Sequence, residues 1–133
     1  MSDPRWLSEV AVKAIHAELI AEHGGESGIL NAAQLSSTLA KPKNLFAYGD
    51  APTLFDLAAS YGYGFVKNHC FVDGNKRVAV AVMDVFLQLN GYELIAEEQE
   101  VALYFFQLAG SLSSSEKDQR ELAVWIEENS NQI

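Results

Sequence analysis

Apolar residues fall at intervals of three and four through most of this chain, the repeat of an α-helix with one buried side. Val12, Ile15, Leu19 and Ile20 mark a first helix. Ser8 stands where a capping hydroxyl is needed, and Gly24-Gly25 stop the helix after His23. Leu35 and Leu39 mark a second, short helix opening at Asn31, with Asn31 and Gln34 at the spacing of a capping box. Pro42 is expected to end it, because proline lacks the N–H the helix ladder needs. Residues 41–52, punctuated by Pro42, Gly49 and Pro52, then read as the longest irregular stretch, a loop or small hairpin. Thr53, with Asp56 three residues on, opens a third helix buried through Leu57, Ala58, Tyr61 and Phe65. Gly62 and Gly64 weaken that helix, which implies close packing against a neighbour or a ligand.

A polar loop follows, and then residues 75–90 form a helix that is apolar almost all round: Val78, Val80, Ala81, Val82, Val85, Phe86, Leu87 and Leu89. Such a helix belongs at the centre of a bundle. Gly91 supplies its stop, and Tyr92-Glu93-Leu94-Ile95 is a short extended piece. Residues 97–109 and 115–128 complete the chain as two more helices, buried through Val101, Tyr104, Phe105 and Leu108, and through Leu122, Trp125 and Ile126. The serines at 111–115 offer N-caps. The prediction is one all-α domain over residues 1–133, a compact bundle of about six helices.

Composition narrows what such a bundle does. At 133 residues the chain buries a core without staples, and one cysteine, Cys70, allows no internal disulfide. The start lacks an apolar signal segment, and the most apolar run is too short to span a bilayer. A cytoplasmic protein without a membrane role is expected. A net charge of −9 excludes a general nucleic-acid binder, which needs a broad basic face. The few cations cluster instead: Lys67, Lys76 and Arg77 surround one loop, which suits a compact anion such as a nucleotide.

That loop carries the chemistry. Within residues 68–77 lie a candidate base (His69), a candidate Mg²⁺ carboxylate (Asp73), a glycine able to let a phosphate approach (Gly74), a cap or amide donor (Asn75) and two cations (Lys76, Arg77). The buried helix starts immediately after. Its first N–H groups and dipole favour phosphate, and cations there imply a bound anion that offsets their repulsion by the dipole. Arg77 can bind phosphate with two parallel hydrogen bonds, Lys76 as a point charge. The residues therefore fit phosphoryl or nucleotidyl transfer. Phe71 reads as a core anchor and Cys70 as a small buried residue, while Asp84 either faces water or pairs with a cation. His16 and His23 have no such company and read as helix-surface or helix-end residues.

His69-Cys70-Phe71-Val72-Asp73-Gly74-Asn75-Lys76-Arg77 resembles the Fic/Doc signature H-x-F-x-D/E-G/A-N-x-R, and Lys76 resembles the Doc (death-on-curing) branch, where the Fic branch has glycine. Gly24-Gly25, Gly28-Ile29, Asp56-Leu57-Ala58-Ala59 and Leu89-Asn90-Gly91-Tyr92 extend the likeness. The resemblance implies a six-helix bundle and a toxin of a toxin–antitoxin pair. It implies ATP and Mg²⁺, and phosphoryl transfer to a hydroxyl of elongation factor Tu, or AMP transfer as in Fic enzymes. A silent binding module is the remaining alternative. By resemblance His69 deprotonates the target, Asp73 holds Mg²⁺, and Gly74, Asn75, Lys76 and Arg77 grip the phosphates. Residues 41–52, with Phe46 and Tyr48, would take the place of the target-docking flap. Cys70 stands where proline is usual and Val78 where threonine is common. The self-inhibitory pattern S/T-x-x-x-E-G/N fails because Val124 precedes Glu128-Asn129, so restraint is expected from an antitoxin in trans.

Overall fold

The computed structural model describes residues 3–133. Among these, six helices are formed: α1 (Glu9–His23), α2 (Ala32–Tyr48), α3 (Leu54–Lys67), α4 (Asn75–Leu89), α5 (Glu98–Ala109) and α6 (Ser115–Glu128). The expected all-α bundle is what forms. Hydroxyl and amide caps fix the starts. Ser8 accepts from the Ala11 N–H, Asn31 from Gln34 and Ser114 from Lys117. Thr53 and Asp56 complete a reciprocal capping box at α3.

α3 and α4 make the centre. Leu57, Tyr61 and Phe65 of α3 and Val78, Val82, Met83 and Phe86 of α4 are all fully enclosed. α6 and α2 pack on α3, and α1 and α5 flank α4. Burial pushes the Tyr61 hydroxyl up to about 12, and that hydroxyl accepts the Leu7 N–H. The helix glycines serve close approach. A Cβ on Gly62 would lie 3.3 Å from Phe105 and 3.4 Å from Leu122; one on Gly64 would lie 2.7 Å from the Thr38 methyl.

Two sequence expectations need correction. Pro42 does not end α2, which continues through it to Tyr48. Pro42 is itself buried, and beyond it Leu45 and Phe46 pack on the core, with Phe46 edge-on to Trp6 at 5.8 Å. That packing offsets the missing ladder bond, which ordinarily costs about 3 kcal/mol. Residues 41–52 are accordingly mostly helix, not a flap. The piece after Gly91 is extended as expected, forming the strand β1 (Tyr92–Leu94); its antiparallel partner β2 (Ser130–Gln132) is what the sequence pattern did not reveal. Asn90 fastens the same end of the bundle, accepting the Arg5 N–H and donating to the Arg5 and Phe86 carbonyls.

The α2–α3 contact gives a first prediction. Gly64→Ala should destabilise the protein by about 1–3 kcal/mol, because the β-branched Thr38 methyl has no free rotamer to yield into. Thr38→Ser removes that methyl and keeps the hydroxyl. Urea denaturation of the single and double variants should therefore show a favourable coupling between the two changes.

Candidate active site

The motif loop runs from the end of α3 to the start of α4 and is locked from three sides. Phe71 is buried, with its ring stacked on His16 at 3.9 Å and nearly parallel, and on Phe65 at 6.5 Å. Its backbone is held by Asn75: the side-chain oxygen accepts the Phe71 N–H at 3.1 Å, and the side-chain amide donates to the Phe71 carbonyl at 3.0 Å. The third side is the α1–α2 connection, residues 24–31. Leu30 and Asn31 donate to the Cys70 carbonyl, Val72 donates to Gly28, and Ile29 bridges to Phe71. Cys70 is enclosed, its thiol 3.5 Å from the Thr38 hydroxyl, which also accepts from the Asn68 amide. Burial pushes the thiol up, away from the reactive thiolate.

From this frame the candidate functional side chains project. His69 is exposed and sits at φ 46, in the left-handed region that a non-glycine residue seldom enters. Such a conformation costs about 1–3 kcal/mol and persists only where surroundings enforce it. Gly74 caps α4 with φ 78 and ψ 19, and contributes no side chain. The first helical bond of α4 is Val78 N–H to the Gly74 carbonyl. The N–H groups of Asn75, Lys76 and Arg77 therefore remain open at the positive end of the dipole. His69, Asp73, Gly74, Lys76 and Arg77 line one cavity of about 390 Å³. A larger apolar groove of about 630 Å³ shares Lys76 and Arg77 and continues along Val80, Val101, Phe105 and Phe106. Lys76 Nζ stands 5.9 Å from the centre of the exposed Phe106 ring.

Asp73 is exposed at the cavity edge. One carboxylate oxygen accepts the Gly74 N–H at 2.8 Å and the other the Glu26 N–H at 3.3 Å. Among the described residues no set of three or more His, Cys, Asp and Glu gathers into a protein-only metal site. A lone carboxylate with spare lone pairs fits Mg²⁺, which keeps water and phosphate oxygens as its other ligands.

Several site expectations change. Asn75 is not the N-cap, which is Gly74; it lines the cavity, and its side-chain amide donates to the Phe71 carbonyl. Lys67 lines the same cavity, but its ammonium already donates to the Ala109 and Ser111 carbonyls just past the end of α5. His16 is no surface residue but is buried against the motif, its Nε2 2.8 Å from the Asp73 carbonyl. The polar α1 sequence around it hid this, and its four-residue spacing from buried Val12 is the signal that exposes it. His23 is an exposed helix-end residue, as expected. Asp84 is half-buried in the apolar groove and takes the Gln88 amide; desolvation pushes its carboxyl up. Tyr48 lies at the far end of α2. Asn31 adjoins Cys70, and the helix then carries Tyr48 roughly 24 Å away. The segment beside the motif is residues 24–31, not 41–52.

A helix N-terminus open behind a histidine, an aspartate and a G-N-K-R turn is the arrangement of one family, and the comparisons agree. The Fic/DOC family model matches residues 6–87, more than half of the chain, and the chain belongs to that family. It is similar to the toxin Doc of Mycolicibacterium smegmatis, 39% identical over 75 residues that cover 56% of this chain and 58% of that protein. It is also similar to the protein kinase doc of Escherichia phage P1, 26% identical over 111 residues, 84% of this chain and 88% of that one. These relatives put it on the Doc side of the family. Among the described residues, no helix is long and apolar enough to cross a membrane.

The lock on Phe71 generates a second prediction. Asn75→Ala leaves the enclosed Phe71 N–H without its acceptor and should cost about 1–3 kcal/mol of stability. Hydrogen exchange should show the Phe71 amide losing more protection than the amides of α6.

Proposed function

We propose that this protein is a Doc-like toxin that transfers the γ-phosphoryl group of ATP to a hydroxyl side chain of a target protein. One observation carries the reading: exposed His69 and the open N-terminus of α4 face a single cavity. The name of the phage relative, a protein kinase similar over most of both chains, supports phosphoryl rather than AMP transfer.

The residues divide the work. The free N–H groups of α4 with Lys76 and Arg77 hold the phosphates. The apolar groove beyond them has room for the nucleoside. His69 takes the proton of the target hydroxyl as its oxygen bonds to the γ-phosphorus and the bond to the departing ADP breaks. Asp73 holds the Mg²⁺ ion, which offsets charge on the phosphates. Lys76 adds a cation where the Fic branch has glycine, and this selects the pose that offers the γ-phosphate. The target implied by the family resemblance is elongation factor Tu. An antitoxin in trans supplies the restraint, with an amphipathic segment seated in the apolar groove.

Incubation with γ-labelled ATP, Mg²⁺ and a lysate of the host should label a protein, and α-labelled ATP should not. Label from the α position would make the enzyme an AMP transferase. His69→Ala should lower the transfer by roughly 10²–10⁴-fold without lowering the melting temperature. It should also abolish growth arrest on expression.

Arg77→Ala should weaken ATP binding by about tenfold or more, as loss of a charged phosphate contact predicts. Calorimetry with unchanged affinity would make the turn a structural cap only.

A further inference from the structure

We propose that His16 is a positioning residue: its Nε2–H fixes the Asp73–Gly74 peptide and so keeps the N-terminus of α4 open to an anion. The inference rests on the nucleotide reading of that site and adds to it a residue outside the motif. Nε2 lies 2.8 Å from a carbonyl oxygen, which only accepts, so this nitrogen carries the hydrogen and donates. His16 is buried on α1, and its ring is fixed by the parallel stack on Phe71 at 3.9 Å. The donor is thus aimed before any ligand arrives.

The need for it follows from Gly74. Its φ of 78 and ψ of 19 are those of the second central residue of a type II turn. In such a turn the central peptide can flip, and glycine tolerates both orientations. In a trans peptide the Asp73 carbonyl and the Gly74 N–H point to opposite edges. A flip would carry the carbonyl away from His16 and break the short bond from the Gly74 N–H to its neighbouring carboxylate. It would change the cap from which Asn75, Lys76 and Arg77 begin. The carboxylate bond is exposed, whereas the His16 bond is half-buried, and so His16 is the firmer of the two restraints. The ring also lies 3.7 Å from where a Gly74 Cβ would stand, so the imidazole backs the glycine directly.

The test compares His16→Leu, which fills the space without a donor, with His16→Gln, whose Nε2 can replace the donor. Amide spectra read the Gly74 and Asn75 resonances, calorimetry reads Mg·ATP affinity, and melting curves monitor the fold. Leucine should shift both amides and weaken Mg·ATP at least about tenfold, and glutamine should restore both, to within about threefold of wild type in affinity. Unshifted amides in His16→Leu, or a glutamine variant as impaired as leucine, would overturn the proposal. If wild type binds no Mg·ATP, the nucleotide reading fails while the amides still decide the role of His16. Should His16→Leu not fold, long-range nitrogen spectra of the wild-type imidazole decide: a hydrogen on Nε2 with coupling to the Asp73 carbonyl supports it, and a bare Nε2 overturns it.

Discussion

Burial of Phe71 is the contact on which the site depends. A ten-residue segment carrying a base, a carboxylate and, at the start of α4, two cations has every electrostatic reason to wander into solvent. One aromatic ring, held between the imidazole of His16 and the ring of Phe65, holds it to the core. Once that ring is seated, its own N–H and carbonyl lose water and must find partners. Asn75 meets both from the first position of α4. The anchoring of the loop and the start of the central helix are therefore one event, and a cation pair that the dipole disfavours is tolerated where it would otherwise fray the helix.

The two departures from the family pattern look different in this light. Cys70 lacks the rigidity of proline, yet it is enclosed, its carbonyl accepts two N–H groups from the α1–α2 connection, and its thiol meets Thr38. Neighbouring bonds restrain what a pyrrolidine ring would. Val78 points into the core, with none of its surface exposed, so a hydroxyl there would meet packing rather than the cavity. Neither change reaches the exposed groups of the loop.

What the sequence could convey follows from range. Caps and helix faces are local, and Ser8, Thr53 with Asp56, and Ser114 announce their helices within four residues. The motif is equally local, which is why His69, Asp73, Lys76 and Arg77 stand out as candidates in the sequence alone. Long-range partners are not written that way. Nothing near His16 says that Asp73, fifty-seven positions away, will come to it. Nothing near Asn90 names Arg5, and the β1–β2 pair joins segments too short to show a period. Pro42 misled for the opposite reason: its local rule is sound, and tertiary packing of Leu45 and Phe46 overrode it. A helix broken at Pro42 would leave residues 41–52 free, whereas the continuous α2 holds most of them in the bundle.

Lys67 closes the account of charge. Its ammonium donates to the Ala109 and Ser111 carbonyls at the wall of the cavity that Lys76 and Arg77 also line, so three cationic side chains border that cavity in a protein of net charge −9. A triphosphate brings more negative charge than these side chains, one of them already shared with two carbonyls, and a helix end neutralise. On the proposed reading the shortfall would fall to a divalent ion held by Asp73. On the proposed reading, binding of the nucleotide and binding of the divalent ion are thermodynamically linked, each raising the affinity for the other. Free magnesium then acts as a second, tunable reactant of the toxin and not merely as a bystander.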